Sequence, residues 1–123
     1  MANCKIKRIN IIEDVNRDDG SFFEIINSLK YTKVHHIKCP VNNDFKISNE
    51  YIPDILILDL NTSGNKYLKQ IKKIRENYLD LQIIVLSNNP YHQLHQAYIK
   101  SGATYFLDKS KDLEKIIEVC STP

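Results

Sequence analysis

DILILDL, at residues 54–60, is apolar at every position except its two aspartates. LQIIVLS, at 81–87, is apolar over most of its length. Neither run alternates apolar with polar side chains, as a strand with one face in solvent does. Continuous apolar runs of this length are typical of strands that are buried on both faces, in the middle of a parallel sheet.

Three further apolar runs flank this pair: RINIIED (8–14), KVHHIKC (33–39) and TYFLD (104–108). The five runs begin roughly 20 to 27 residues apart, which leaves room for a strand, a helix and two tight turns. Four of the segments that follow the runs carry apolar residues at helical spacing and therefore predict helices. These residues are Phe22, Phe23, Ile26 and Leu29; Leu68, Ile71, Ile74 and Tyr78; Leu94, Ala97, Tyr98 and Ser101; and Leu113, Ile116, Ile117 and Cys120.

A fifth and weaker helix is predicted within residues 40–52, with Phe45, Ile47 and Tyr51 on its core face. With it, strands and helices alternate along the whole chain. Such alternation predicts an α/β domain, in which a parallel sheet carries helices on both faces through right-handed crossovers. No linker, repeat or low-complexity stretch interrupts the pattern, so residues 1–123 are expected to form one domain.

The composition argues against several classes of protein. Hydrophobic residues are 42% and charged residues 26% of the 123, a globular balance, and the net charge of +2 includes no basic block. Direct nucleic-acid binding is therefore not expected. The apolar runs are too short for membrane insertion, and charge interrupts the N-terminal run too early for a signal peptide. Cys4, Cys39 and Cys120 have no close spacing, which indicates reduced thiols and a cytoplasmic location.

Polar side chains stand where the predicted strands end. They are Glu13 and Asp14 after the first strand, Asp59 after the third, Ser87 after the fourth, and Asp108 and Lys109 after the fifth. In open α/β sheets, ligands bind beyond these carboxyl ends. Glu13, Asp14 and Asp59 would place three carboxylates there, which would repel one another by roughly 4 kcal/mol per close pair. A hard cation such as Mg²⁺, which prefers oxygen ligands, would remove that repulsion.

A carboxylate beside Mg²⁺, a hydroxyl and a lysine can also receive a phosphoryl group. Asp59 would be the nucleophile and Ser87 would donate one hydrogen bond, while Lys109 and the cation would neutralise the phosphoryl oxygens. The simpler interpretation is that the acids are solvated loop residues and that Lys109 is a surface lysine. Their position at matching strand ends favours the phosphoryl-acceptor site.

Four stretches in register resemble the receiver domain of bacterial two-component response regulators, of the chemotaxis-regulator kind. They are IIED (11–14), PDILILD (53–59), IIVLS (83–87) and GATYFLDKS (102–110). The resemblance covers essentially the whole chain. It implies a flavodoxin-like (βα)5 fold, a doubly wound parallel five-stranded sheet with strand order 2-1-3-4-5 between two layers of helices.

The resemblance also implies a set of site residues. Asp59 would carry the phosphoryl group, with Ser87 and Lys109 as its partners. Mg²⁺, or Mn²⁺ in its place, would be bound by Glu13, Asp14, Asp59 and the backbone carbonyl of Asn61. Ser87 and Phe106 match the switch positions of the family, and Asn61 and Asn89 would border the path of the hydrolytic water.

In function, the resemblance implies a stand-alone receiver in a two-component system or phosphorelay. It would take its phosphoryl group from a sensor histidine kinase or a phosphotransfer protein, promoting its own phosphorylation and dephosphorylation without being an enzyme for another substrate. Its output would be contact with a downstream protein through the fourth predicted helix, the fifth strand and the fifth helix.

Two alternatives stay open beside this interpretation. Gly64 comes early after Asp59, and Asn88 stands where the family has a smaller residue, which favours a receiver-like interaction module that works without phosphorylation. A flavodoxin-type FMN protein would share the fold. It would need a phosphate-binding loop after the first strand, where this chain has the acidic sequence EDVNRDD (13–19).

Overall fold

The computed structural model describes residues 6–14, 21–39, 47, 51–60, 64–88 and 92–121. Five strands form one sheet: β1 (Lys7–Asp14), β2 (Thr32–Cys39), β3 (Ile55–Asp59), β4 (Gln82–Ser87) and β5 (Tyr105–Asp108). All neighbouring strands are parallel, and their order is β2-β1-β3-β4-β5. The predicted flavodoxin-like topology is confirmed, and each predicted strand lies within one residue of its observed bounds.

Four helices lie in the described part of the chain: α1 (Ser21–Asn27), α2 (Leu68–Asn77), α3 (His92–Ser101) and α4 (Leu113–Ser121). They confirm the four stronger helix predictions. The weaker helix within 40–52 falls mostly outside the described residues. Tyr51 and Ile52, at the end of that segment, are not helical. In the structure, α3 and α4 therefore correspond to the fourth and fifth predicted helices.

The two central strands explain why their sequences are continuously apolar. Every residue of β3 is buried, and successive residues point to opposite faces of the sheet. Leu56 and Leu58 belong to the hydrophobic cluster under α2 and α3, whereas Ile55 and Ile57 belong to the cluster under α1 and α4. Burying one such side chain contributes about 1.5–3 kcal/mol. A polar residue at any of these positions would face one core or the other.

Helix α3 ends at a glycine that the packing requires. Gly102 has φ +119°, a conformation that residues with a Cβ rarely adopt. A Cβ at this position would lie 2.7 Å from both Cβ and Cγ of Arg75. The Arg75 guanidinium in turn donates to the carbonyl of Gly102 at 2.9 Å and to Thr104 Oγ1 at 3.2 Å. Arg75 therefore ties α2 to the connection between α3 and β5.

The sheet register brings the functional candidates to one edge. Glu13 on β1 lies directly opposite Asp59 on β3, and Ser87 on β4 lies opposite Asp108 on β5. None of the helices in the described ranges is long and apolar enough to cross a membrane.

Candidate functional site

Asp59 and Lys109 form an ion pair at the carboxyl edge of the sheet. Lys109 Nζ lies 2.6 Å from Asp59 Oδ2, and the Asp59 side chain is 1% exposed. Asp59 is the last residue of β3, and Lys109 directly follows β5. A buried carboxylate needs a compensating charge, because desolvation penalises its ionised form. Lys109, which directly follows β5, supplies that charge.

Ser87 lies between these two residues in the order of the strands. It is the last residue of β4 and is almost completely buried. Its carbonyl accepts a 3.1 Å hydrogen bond from the backbone N–H of Lys109. The backbone that carries the ammonium is thus anchored on the residue that carries the hydroxyl. The structure brings Asp59, Ser87 and Lys109 to one edge of the sheet, as the sequence predicts.

Glu13 has a partner that the sequence analysis missed. His36 Nε2 lies 2.6 Å from Glu13 Oε2, and both side chains are mostly buried. The His36 ring stacks on Phe23 of α1, with 4.8 Å between ring centroids. The alternation of β2 sends His35 to the other face, where its ring lies 4.6 Å from that of Tyr51. In the sheet, His36 lies opposite Ile11, two residues before Glu13 and on the same face of the sheet, so the pair of Glu13 and His36 becomes visible only once β1 and β2 are paired.

Asp108 stabilises a turn instead of joining the other carboxylates. Its Oδ1 accepts hydrogen bonds from Ser110 N at 2.9 Å, Ser110 Oγ at 2.9 Å and Lys111 N at 3.0 Å. The bonds from the Lys111 N–H and the Ser110 hydroxyl lower the pKa of Asp108. The carboxylate is therefore held in the turn that leads from β5 to α4.

The model for the response regulator receiver domain matches residues 9–121. The chain belongs to the response regulator receiver domain family. No curated protein matches this receiver.

Solved structures resemble this receiver over nearly all of its length. A LuxR-family two-component response regulator from Aurantimonas sp. SI85-9A1 superposes with a TM-score of 0.76 at 18% identity, covering 93% of this chain and 81% of that one. A LuxR-family DNA-binding response regulator from Staphylococcus aureus gives 0.72 at 19% identity, covering 91% and 93%. A response regulator from Burkholderia pseudomallei, solved with a phosphorylated aspartic acid, calcium ion and citrate, gives 0.69 at 21% identity, covering 94% and 67%. At these identities the likeness shows the shared fold.

Phe106, predicted to be a switch residue, is buried in this receiver. Phe106 is 4% exposed and packs on the side of the sheet that faces α3. Its ring centroid lies 5.7 Å from that of Tyr98 and 5.4 Å from that of His95. Phe106 therefore faces the core.

The roles of all predicted site residues stay predictions, and for three of them the functional group lies outside what the structure describes. Asp14 ends β1, but its side chain lies outside what the structure describes. Asn61, predicted to bind the metal through its backbone carbonyl, and Asn89, predicted to border the path of water, also lie outside the described residues. The roles of all three rest on the resemblance alone.

The donor chemistry at this edge fits a hard divalent cation. Glu13 and Asp59 are buried carboxylates on neighbouring strands and lie opposite each other in the register. Carboxylate oxygens are the ligands that Mg²⁺ prefers, and a cation would offset the repulsion between them. Within the described side chains, no group of three or more His, Cys, Asp or Glu could hold a metal ion. A complete site therefore needs donors beyond these two residues.

Proposed function

We propose that this receiver accepts a phosphoryl group on Asp59 from the phosphohistidine of a sensor histidine kinase or a phosphotransfer protein. A carboxylate oxygen of Asp59 would bond to phosphorus as the bond between phosphorus and the histidine nitrogen breaks. The electron pair of the broken bond would stay on the imidazole. The observation that carries this proposal is the contact between Lys109 Nζ and the buried Asp59 carboxylate.

Lys109 and Ser87 have complementary tasks in this reaction. The Lys109 ammonium would move from the carboxylate to the phosphoryl oxygens and neutralise charge there, in a site where low exposure strengthens the interaction. The Ser87 hydroxyl would donate a hydrogen bond to one of these oxygens. Both groups favour formation of the acyl phosphate, and Lys109 also favours its hydrolysis, so the receiver would promote both of its own reactions without being an enzyme for another substrate.

Glu13, Asp14, Asp59 and the backbone carbonyl of Asn61 would hold Mg²⁺, with Mn²⁺ as a substitute. When bound, the cation supplies positive charge that draws the phosphoryl oxygens toward the carboxylate. Oε2 of Glu13 contacts His36. For Glu13 to help bind the cation, its other carboxylate oxygen would face the cation or a water bound to it. The buried position of Glu13 opposite Asp59 supports that arrangement.

The output of the switch would be protein contact through the face formed by α3, β5 and α4. Phe106 lies under this face and packs against α3. Direct nucleic-acid binding is not part of the proposal, because the net charge is +2.

We further propose that residues 1–123 form one receiver domain and that the protein acts in the cytoplasm.

The proposal is tested by incubating the protein with Mg²⁺ and acetyl phosphate and measuring its intact mass. We expect one added phosphoryl group on the wild type and none on Asp59→Asn. Asp80→Asn is the matched control, because Asp80 is exposed and lies away from the carboxyl edge of the sheet. It should be labelled like the wild type. Equal labelling of Asp59→Asn would contradict the assignment.

The early Gly64 after Asp59, and Asn88 beside Ser87, favour a second candidate function, a receiver-like module that binds its partner without phosphorylation. In that case the face of α3, β5 and α4 would bind the partner without any change at Asp59. Partner affinity would then be the same for Asp59→Asn and for the phosphorylated wild type. The leading proposal instead expects the two affinities to differ by at least tenfold, the effect of about 1.4 kcal/mol of coupling.

A further inference from the structure

Tyr98 joins α3 to the turn that follows the acceptor strand. It is fully buried, and its hydroxyl donates a 2.7 Å hydrogen bond to the carbonyl of Gly64. The same hydroxyl accepts a 3.3 Å hydrogen bond from the backbone N–H of Tyr67. Gly64 and Tyr67 lie in the segment 64–67, which leads from the region after Asp59 into α2. One side-chain oxygen thus binds both ends of this segment.

The backbone of the segment depends on that hydroxyl. Gly64 has φ +59°, which bends the chain sharply before the helix. Tyr67 is the N-cap of α2, and its side chain makes no capping hydrogen bond. Tyr67 is also buried, so its backbone N–H would be poorly hydrated without a partner. The Tyr98 hydroxyl supplies the hydrogen bonds that a capping loop often provides for itself.

The ring of Tyr98 contacts the switch aromatic. Its plane is inclined by 20° to that of Phe106, and the centroids are 5.7 Å apart. Both rings belong to the same buried cluster. Protein interiors are close-packed, so Phe106 cannot change position while its neighbours keep theirs. A movement of Phe106 therefore displaces its ring neighbours His95 and Tyr98, and the far end of Tyr98 holds the segment 64–67.

We propose that Tyr98 is a positioning residue that couples the segment after the acceptor aspartate to the position of Phe106. The signalling meaning of this coupling rests on the function proposed above, whereas the coupling itself does not. A change in the backbone after Asp59 would reach the face of α3, β5 and α4 through Tyr98. This route would act beside a direct one from Ser87 to Phe106, the two residues that match the switch positions of the family.

Tyr98→Phe distinguishes the effect of the hydroxyl from the effect of the ring. The variant keeps the stacking on Phe106 and removes both hydrogen bonds to the segment 64–67. Without phosphodonor, we expect hydrogen exchange of the Tyr67 amide to become about tenfold faster relative to core amides of β3, as loss of a hydrogen bond predicts. Tyr105→Phe is the matched control, because this ring lies on the opposite face of β5 and packs in the other cluster. It should leave exchange at Tyr67 unchanged.

A double-mutant comparison tests the coupling directly. Phe106→Leu, which alters the stacked ring, should shift the amide NMR signals of Gly64 and Tyr67 in the wild-type background. In the Tyr98→Phe background the same substitution should shift them by less than half as much. Equal shifts in both backgrounds, or none in the wild type, would overturn the proposal. Tyr98 would then be a core residue that merely touches both partners.

Intact-mass measurement on the same samples keeps this test separate from that of the proposed function. If Asp59 is not labelled but the double-mutant shifts are non-additive, the coupling stands and the phosphoryl-acceptor function fails. If Asp59 is labelled and the shifts are additive, the function stands and the coupling is wrong.

Discussion

The ammonium of Lys109 lies 2.6 Å from the carboxylate of Asp59, although 50 residues separate them in the sequence and β4 lies between β3 and β5 in the sheet. The contact exists because parallel strands place their carboxyl ends at one edge. The Ser87 carbonyl, which accepts a hydrogen bond from the Lys109 N–H, fixes the backbone of the lysine there. The proposed phosphoryl-acceptor function of this receiver depends on this pair.

Removing the ammonium should destabilise the fold. Lys109→Met keeps the length of the side chain but leaves the buried Asp59 carboxylate without its cation, at a cost of roughly 3 kcal/mol. Adding Asp59→Asn should recover most of that loss, because the neutral amide needs no counter-charge. Urea unfolding of the wild type, both single variants and the double variant measures the coupling. Additive losses would mean that the ion pair does not contribute to stability.

The same substitution should slow phosphorylation. Loss of one charge that stabilises the transferring group costs about a hundredfold in rate. Initial rates of labelling by acetyl phosphate would be compared for the wild type, Lys109→Met and Lys111→Met. Lys111 is exposed two residues further along, so its loss should leave the rate nearly unchanged. A normal rate in Lys109→Met would exclude a role for the ammonium in the transfer.

Two glycines with positive φ should respond differently to substitution by alanine. At Gly102 the new Cβ would meet Arg75, whereas at Gly64 it would meet nothing within 4 Å. Gly64→Ala should therefore cost about 1 kcal/mol from backbone strain alone, and Gly102→Ala at least about 2 kcal/mol, since packing strain is added. Thermal or urea unfolding gives both values. Equal losses would show that Arg75 moves aside freely.

The free energy of unfolding at acid pH should depend on the ionisation of Asp108. Its pKa is lowered in the folded protein, so the ionised form favours folding. This contribution is complete above the ordinary pKa of an aspartate, about 3.9, and is lost as the pH falls through the lowered folded value. The stability difference between the wild type and Asp108→Asn should be constant at neutral pH and shrink in acid. Unfolding curves between neutral pH and acid measure it. A difference that stays constant throughout would contradict the turn-stabilising role of the carboxylate.

The predicted hydrolysis path gives a test of Asn61. A bulky apolar side chain at this position should shield the acyl phosphate from water. Asn61→Met is therefore expected to lengthen the lifetime of the phosphorylated form without changing whether Asp59 is labelled. Decay of the intact-mass signal after removal of the donor measures the lifetime, which we expect to be minutes to an hour in the wild type. Equal lifetimes would mean that Asn61 does not border the phosphoryl group.

Most of the fold could be predicted because buried segments have recognisable patterns of apolar residues. Strands β3 and β4 are apolar on both faces, and Gly102 marks the end of α3. The segment 40–52 carries a weak pattern, and its prediction as a helix finds no support at Tyr51. The spacing of apolar residues predicts a helix well where the pattern is strong, and it predicts a helix poorly where polar residues interrupt the pattern.

The sequence predicts only those site residues whose location follows from the ends of the strands. Strand ends place Asp59, Ser87 and Lys109 together, because the topology dictates their edge. The partner of Glu13 depends on the register of β2, and the reach of the Tyr98 hydroxyl depends on the path of the backbone at Gly64. Helical spacing assigns Tyr98 to the core but does not say which backbone groups its hydroxyl binds. Such contacts follow from three-dimensional packing alone.

The most direct test of the central claim is to locate the acyl phosphate in the sequence. The protein is incubated with Mg²⁺ and acetyl phosphate, and borohydride then reduces any aspartyl phosphate to homoserine, which peptide mass spectrometry can place. The account predicts homoserine at position 59 and at no other position, and only when both donor and cation are supplied. Homoserine at another aspartate, or a chain that stays unmodified under these conditions, would contradict it.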